Sequence, residues 1–214
     1  MKLTLHAYCH SVYCWIARLA LAAKGVAFEY VEINPFTDKS WTRHPFGKVP
    51  LLETPKGDLF ETAALTRFVD EALPGPALMP EAPFERARVH QIVSLMDAEG
   101  CRPLVHPIAA EGYFRRRAGG RPDPATVEAG LAAAPRLLEV LETLLPRQGL
   151  AGTGQLSLAD IHAAPMIDYA LLAPESAGLL APYPALADWF ATVSTHDAFK
   201  ATRPDLPPLD VAVS

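Results

Sequence analysis

Residues 2–33 read KLTLHAYCHSVYCWIARLALAAKGVAFEYVEI, and their hydrophobic spacing changes period twice. Lys2 to Ala7 alternates apolar with polar, the two-residue period of a half-buried strand. Cys14 to Lys24 is rich in Ala, Leu and Ile with one Arg, a helix pattern, and Gly25 follows where a helix C-terminus favours a left-handed residue. Phe28 to Ile33 alternates again. Strand, helix and strand in that order predict a right-handed parallel βαβ unit.

Working outward, Val49–Glu53 and Asp58–Phe60 are short strand patterns separated by Thr54-Pro55-Lys56-Gly57, a turn by composition. Thr62 precedes the periodic apolar run Ala63, Leu65, Phe68 and Val69, and reads as its N-cap. The stretch from Leu73 to Pro80 holds three prolines and a glycine, with Pro83 just beyond, and cannot continue a helix. Beyond it every periodic segment is helical. Phe84, Ala87, Ile92, Leu95 and Met96 fall at near-helical spacing, and Gly119–Pro124 is a polar loop. A helix is predicted over 125–145, kinked or broken at Pro135. Further helices open at Ser157 and at Pro184. The predicted organisation is an α/β domain (1–76), a linker (77–83) and an all-α domain (84–214).

With 214 residues, half of them hydrophobic, the chain can bury a substantial core. A net charge of -5 argues against a nucleic-acid or anionic-membrane binder, which needs a basic face. The three cysteines, Cys9, Cys14 and Cys101, form no CxxC pair and no even-numbered framework, so a reducing compartment is expected. The first residues are too polar for a signal peptide, and no apolar run is long enough to span a bilayer. These features predict a soluble cytoplasmic protein. The seven histidines show no HxxxH or Cys/His cluster, so no metal is expected, and His162 in an apolar helix reads as a hydrogen-bonded core residue.

Three features carry chemistry. Tyr8-Cys9-His10-Ser11-Val12-Tyr13-Cys14 joins a strand end to a helix start, where free N–H groups and the positive dipole end stabilise an anion such as a thiolate. Ser11 reads either as the helix cap or as a hydroxyl donor to that anion. His44-Pro45-Phe46-Gly47-Lys48-Val49-Pro50-Leu51-Leu52 places a proline at a strand start. A cis bond there would turn Val49 outward to pair with a peptide ligand, although X–Pro bonds are mostly trans and the sequence alone favours trans. Glu61-Thr62 stands directly before a helix, either as an ordinary cap or as a grip for a ligand's carboxylate and amine.

Over nearly its whole length the chain resembles the cytosolic glutathione S-transferases, of bacterial type with a serine-type active site. The motifs are SVYCWIARLALAAKG (11–25), HPFGKVPLL (44–52), FETAALTRFVDE (60–71), SLADIHAAPM (157–166) and YPALADWFATV (183–193). The resemblance implies a thioredoxin-like βαβ-ββα domain followed by a helical domain, a homodimer, and glutathione as substrate with no metal. It further implies a role in detoxification through conjugation of a small, largely apolar electrophile. Ser11 matches the catalytic serine, Pro50 the cis-proline and Val49 the residue pairing through its backbone with the cysteinyl part. Glu61 and Thr62 match the pair holding the γ-glutamyl end. Lys48 and Lys39 stand where polar side chains meet the tripeptide. Asp97 would reach the partner's glutathione, and Ser157 with Asp160 match a structural capping box. The family's SxC and CPxC patterns are absent, since Val12 and Tyr13 follow the serine, so Cys9 and Tyr13 remain alternatives to Ser11. Cys14 is expected to pack as a small hydrophobe. The second-substrate pocket is expected among helical side chains and loops around Tyr13, Cys101–Pro107 and Tyr113–Arg117. Two rivals share the scaffold: a glutathione-dependent isomerase or thiol–disulfide oxidoreductase, and a non-catalytic glutathione-binding protein.

Overall fold

The computed structural model describes residues 2–149, 153–207 and 209. Strand β1 (Thr4–Ala7), helix α1 (Val12–Ala23) and strand β2 (Glu29–Glu32) form the expected unit, with the two strands parallel. Strands β3 (Leu51–Thr54) and β4 (Gly57–Phe60) form the hairpin, and β3 lies antiparallel to β1. The sheet is therefore mixed, in the order β2-β1-β3-β4. Helix α2 (Thr62–Ala72) completes the thioredoxin-like βαβ-ββα half, and the remainder is helical.

Helix α1 buries Val12, Cys14, Trp15, Ile16, Ala17, Leu19, Ala20 and Leu21. A helix apolar on every side must be covered on every side. Helix α2, α6 (Leu158–Ala170) and α8 (Asp197–Thr202) all pack on it. Trp15 lies 5.5 Å from the Tyr169 ring and 5.0 Å from Phe199, and its indole N–H donates to Thr202 Oγ1 at 3.1 Å. The helix ends as its sequence predicts. Gly25 takes φ +66°, its N–H bonds the Ala22 carbonyl, and the Val26 N–H bonds the Leu21 carbonyl. That pair of bonds is a Schellman motif.

The proline-rich stretch after α2 is fastened to the α/β half. Buried Lys24 donates to the Asp70 carbonyl at 3.1 Å, and Asp70 Oδ1 accepts the Leu78 N–H at 2.7 Å. Gly75 takes φ +116°, and a Cβ there would stand 2.1 Å from the Lys24 carbonyl oxygen.

Helix α3 (Pro83–Leu95) begins on Pro83, whose missing N–H costs nothing at a first helical position. It runs directly into α4 (Met96–Phe114), a wider coil with one closing turn at Arg115–Arg117. At the end of α4 the Arg115 N–H reaches back to Ala110, the five-residue span of a π-helix. Pro103 and Pro107 lie inside α4. A proline lacks a donor and crowds the carbonyl four residues back, and widening the coil relieves that crowding. Both stretches expected around the second-substrate pocket, Cys101–Pro107 and Tyr113–Arg117, are helical.

Helix α5 (Pro124–Gln148), capped by Asp123, runs through Pro135, so of the two expectations there, a kink or a break, the break does not occur. It crosses α4 at Gly130, where a Cβ would meet Pro107 at 2.6 Å. Every residue of α6 is buried, and its N-terminus carries the expected capping box. Asp160 Oδ2 accepts the Ser157 N–H at 2.7 Å, and Oδ1 accepts the Trp189 indole N–H from helix α7 (Pro184–Ser194) at 2.7 Å. No described helix is long and apolar enough to cross a membrane.

Candidate active site

The sheet register brings the chemically suggestive segments together. His6 pairs with Leu51, and Leu51 pairs with Phe60. The end of β1, the start of β3 and the end of β4 therefore lie side by side along one edge. The chain leaves that edge toward Ser11, arrives at it through Lys48-Val49-Pro50, and leaves it again through Glu61-Thr62.

Ser11 follows a tight turn in which its N–H bonds the Tyr8 carbonyl at 3.0 Å. It is the N-cap of α1, and its Oγ accepts the Cys14 N–H at 3.3 Å. Accepting through a lone pair leaves the hydroxyl proton free to donate elsewhere. The observed geometry is that of the capping reading. The first turn of α1 holds no acidic side chain, so its positive end is not neutralised.

None of the chain's own thiols is poised as a thiolate. Burial pushes Cys14 up to about 11. Cys9 is raised by burial and by its hydrogen bond to Glu32, whose carboxylate also accepts the Cys9 N–H at 3.1 Å. Burial raises Cys101, with the Tyr13 hydroxyl acting in the opposite direction. Tyr13 itself is driven up by burial, by the neighbouring Cys101 thiol it hydrogen-bonds, and by the carboxylates of Asp97 and Glu61, so it stays a neutral phenol.

The Val49–Pro50 peptide is cis, the isomer implied by the resemblance and not the one favoured by the sequence alone. Val49 stands outside the strand ladder. The indole N–H of Trp41 holds the neighbouring Lys48 carbonyl at 2.9 Å. Beside Trp41, Arg43 bonds Glu53 and Asp58, both at 2.6 Å, and His6 at 3.0 Å, packing the irregular 34–50 segment on the sheet. The expected cap of α2 needs correcting by one residue. Glu61 is the N-cap, its carbonyl accepting the Leu65 N–H at 2.9 Å, and buried Thr62 is the first helical residue. Glu61 takes φ +66°, a conformation costly for a side chain with a Cβ and commonest where neighbours enforce it for a purpose. Its side chain is exposed.

Lys39 lies in the irregular segment beside Phe36. Its ammonium bonds the Phe36 carbonyl at 3.1 Å. Asp97 turns toward its own chain, with Oδ1 3.4 Å from His162 Nδ1. His162 is fully buried and its Nε2 lies 3.0 Å from Thr66 Oγ1 on α2, so the core-histidine reading holds.

Sequence reasoning missed a row of rings beside Ser11. Phe36 packs 6.0 Å from Tyr8, Tyr8 5.6 Å from His10, His10 6.0 Å from Phe114, and Phe114 5.3 Å from Tyr169. The Tyr169 hydroxyl donates to the His10 carbonyl at 3.1 Å and anchors the loop before Ser11. These rings come from four separate segments, so no local pattern announces them. A separate cavity of about 1190 Å³ lies between α4 and α5 and shares none of these residues.

Two family models match the chain. Residues 5–77 match the N-terminal domain of glutathione S-transferase, and residues 124–192 match its C-terminal domain. A maleylacetoacetate isomerase from Rattus norvegicus is 27% identical over 214 residues, covering 95% of this chain and 93% of that protein. Glutathione S-transferase omega-2 from Mus musculus is 36% identical over 106 residues, covering 48% of this chain but only 40% of the mouse protein. Among solved structures, a glutathione S-transferase from Methylobacillus flagellatus KT with glutathione bound superposes with a TM-score of 0.73. It is 26% identical and covers 94% of this chain and 99% of that one.

Proposed function

The chain belongs to the glutathione S-transferase family, and from that premise we propose that it activates the thiol of glutathione for attack on a small, largely apolar electrophile. One observation carries the reading: the register that sets Ser11, Val49-Pro50 and Glu61-Thr62 along one sheet edge. In this reading the Val49 backbone pairs with the cysteinyl residue of the tripeptide. Glu61 accepts from the γ-glutamyl ammonium, and Thr62 with the first N–H groups of α2 holds its carboxylate. Lys48 meets the tripeptide through its ammonium, and Lys39 is the candidate for the glycyl carboxylate.

The sulfur lies at the N-terminus of α1, with Ser11 donating its hydroxyl proton. A free thiol titrates near 8.5, so only a few per cent is thiolate at pH 7. Lowering that value by about two units takes roughly 2.7 kcal/mol of preferential anion stabilisation. One charge-assisted hydrogen bond and a helix end together supply about that much. The thiolate forms the new carbon–sulfur bond. A leaving group departs with the electron pair, or a proton is taken up where the electrophile is an activated alkene. The ring row of Phe36, Tyr8, His10 and Phe114 supports an apolar acceptor.

A second reading has specific support. The rat relative that spans nearly the whole chain is named for an isomerase, and a glutathione-dependent isomerase needs the same thiolate but returns glutathione unchanged. A Cys9 oxidoreductase is disfavoured by the raised Cys9 thiol. We also take the protein to be a cytoplasmic homodimer. Exposed Phe46 and Phe84 support association, being the kind of surface a partner covers.

Calorimetry with reduced glutathione, followed by thiol consumption in the presence of aromatic halides and activated alkenes, tests the proposal. Saturable binding with stoichiometric thiol loss supports transfer. Binding with alkene isomerisation and no thiol loss supports the second reading. No heat at millimolar tripeptide defeats both.

A further inference from the structure

The turn that delivers Lys48 and Val49 to the site is built on one buried side chain. His44 is 4% exposed. Its Nδ1 accepts the Phe46 N–H at 3.0 Å, and its carbonyl accepts the Gly47 N–H at 2.9 Å. Gly47 completes the reversal at φ +63°. The imidazole also packs 5.0 Å from the ring of Phe60, the residue immediately before Glu61. One ring therefore braces both the Lys48 segment and the Glu61 segment. A ring nitrogen that accepts an N–H carries no proton, so His44 is neutral with its hydrogen on Nε2. Burial holds its pKa below the ordinary histidine value, Glu61 acts to raise it, and Lys48 acts to lower it. Glu61, from the start of α2, and Lys48, from the same turn, are the charged groups facing it among the described residues.

Resting on the glutathione-binding reading above, we propose that His44 is a positioning residue whose protonation loosens the cradle and weakens glutathione binding in acid. A proton on Nδ1 sets donor against donor at the Phe46 N–H, removes the turn's side-chain bond, and places a second positive charge near Lys48. S-methylglutathione, which has no thiol to ionise, does not itself change protonation between about pH 5.5 and 7.5, because its carboxyls titrate below and its amine above that window.

His44→Asn provides the discriminating variant. Its Oδ1 can accept the same N–H two residues on, as an Asx-turn does, and an amide does not titrate. The experiment is calorimetry with S-methylglutathione at pH 7.5 and 5.5 on the full chain, with urea unfolding confirming that each variant is folded. The wild type is expected to bind about fivefold more weakly at pH 5.5, the equivalent of one lost hydrogen bond. His44→Asn should bind as the wild type does at pH 7.5 and lose less than about twofold on acidification. A folded His44→Ala should be weak at both pH values. If the wild type binds equally at both pH values, or His44→Asn shows the wild-type acid loss, the role of His44 is overturned. Absence of wild-type binding at pH 7.5 instead overturns the glutathione reading, and this inference with it.

Discussion

Replacing Ser11 by Ala and, separately, by Asp divides the two jobs of one hydroxyl. As a cap, Ser11 satisfies the Cys14 N–H at 3.3 Å. Ala removes that acceptor and should cost about 1 kcal/mol in urea unfolding, whereas Asp caps as well as Ser and should leave stability unchanged or slightly raised. As a donor, Ser11 gives one charge-assisted bond to the bound thiolate, worth roughly 1.5–3 kcal/mol. At 1.36 kcal/mol per unit, its loss in Ser11→Ala should raise the bound thiol's pKa by about one to two units. Conjugation at pH 7 should then fall about 3- to 25-fold with the thiolate fraction, and glutathione affinity should be little changed. In Ser11→Asp a carboxylate about 4 Å from the sulfur adds a repulsion of about 4 kcal/mol at an effective dielectric of 20, a further shift of about three units. The readouts are ultraviolet titration of the bound thiolate and the pH–rate profile. If the acid limb of the Ser11→Ala profile stays where the wild-type limb lies, Ser11 is no donor. If Ser11→Asp unfolds as early as Ser11→Ala, the cap assignment is wrong.

Asp160→Ala strips a buried acceptor from Ser157 and from the Trp189 indole and should destabilise by about 3–5 kcal/mol in urea; a loss under about 1 kcal/mol would contradict the network's structural role. Gly75→Ala drives a Cβ onto the Lys24 carbonyl at a positive φ and should cost about 3 kcal/mol, read as a fall in the urea midpoint with unchanged slope. Arg43, with help from His6, holds Glu53 down from 4.5 to about 2. A carboxyl depressed in the folded state stabilises above its unfolded value, and that contribution is lost as pH falls through the folded one. Arg43→Gln should therefore flatten the acid limb of stability between about pH 4.5 and 2, and an unaltered limb would remove Arg43 from that role.

Local signals in the chain carried much of the architecture. Period-2 and helical patterns located β1, α1 and the hairpin, Gly25 marked its Schellman turn, and Ser157 with Asp160 marked their box, because each is written within a few residues. Prolines misled. Pro135 lies inside a helix that continues to Gln148, and the helix carrying Cys101 is widened around Pro103 and Pro107, because packing against neighbouring helices outweighs a local propensity. Thr62 reads as a cap, but Glu61 takes that position at a positive φ, which composition does not announce. The site was legible where segments abut along the sheet edge. Contacts made through space were not, since Tyr8, Phe36, His10 and Phe114, or His44 with Phe60, meet only after folding.

The encirclement of α1 has a consequence for how the molecule comes apart. Trp15 is shielded by Tyr169 and Phe199, which arrive more than 150 positions later along the chain. Severing the polypeptide in the proline-rich stretch would leave the sheet-bearing fragment displaying an indole and several aliphatic groups to solvent, a surface prone to clumping. Melting is thus expected as one concerted event, and synthesis of the first half alone yields a fragment that stays insoluble until the last helices close over it.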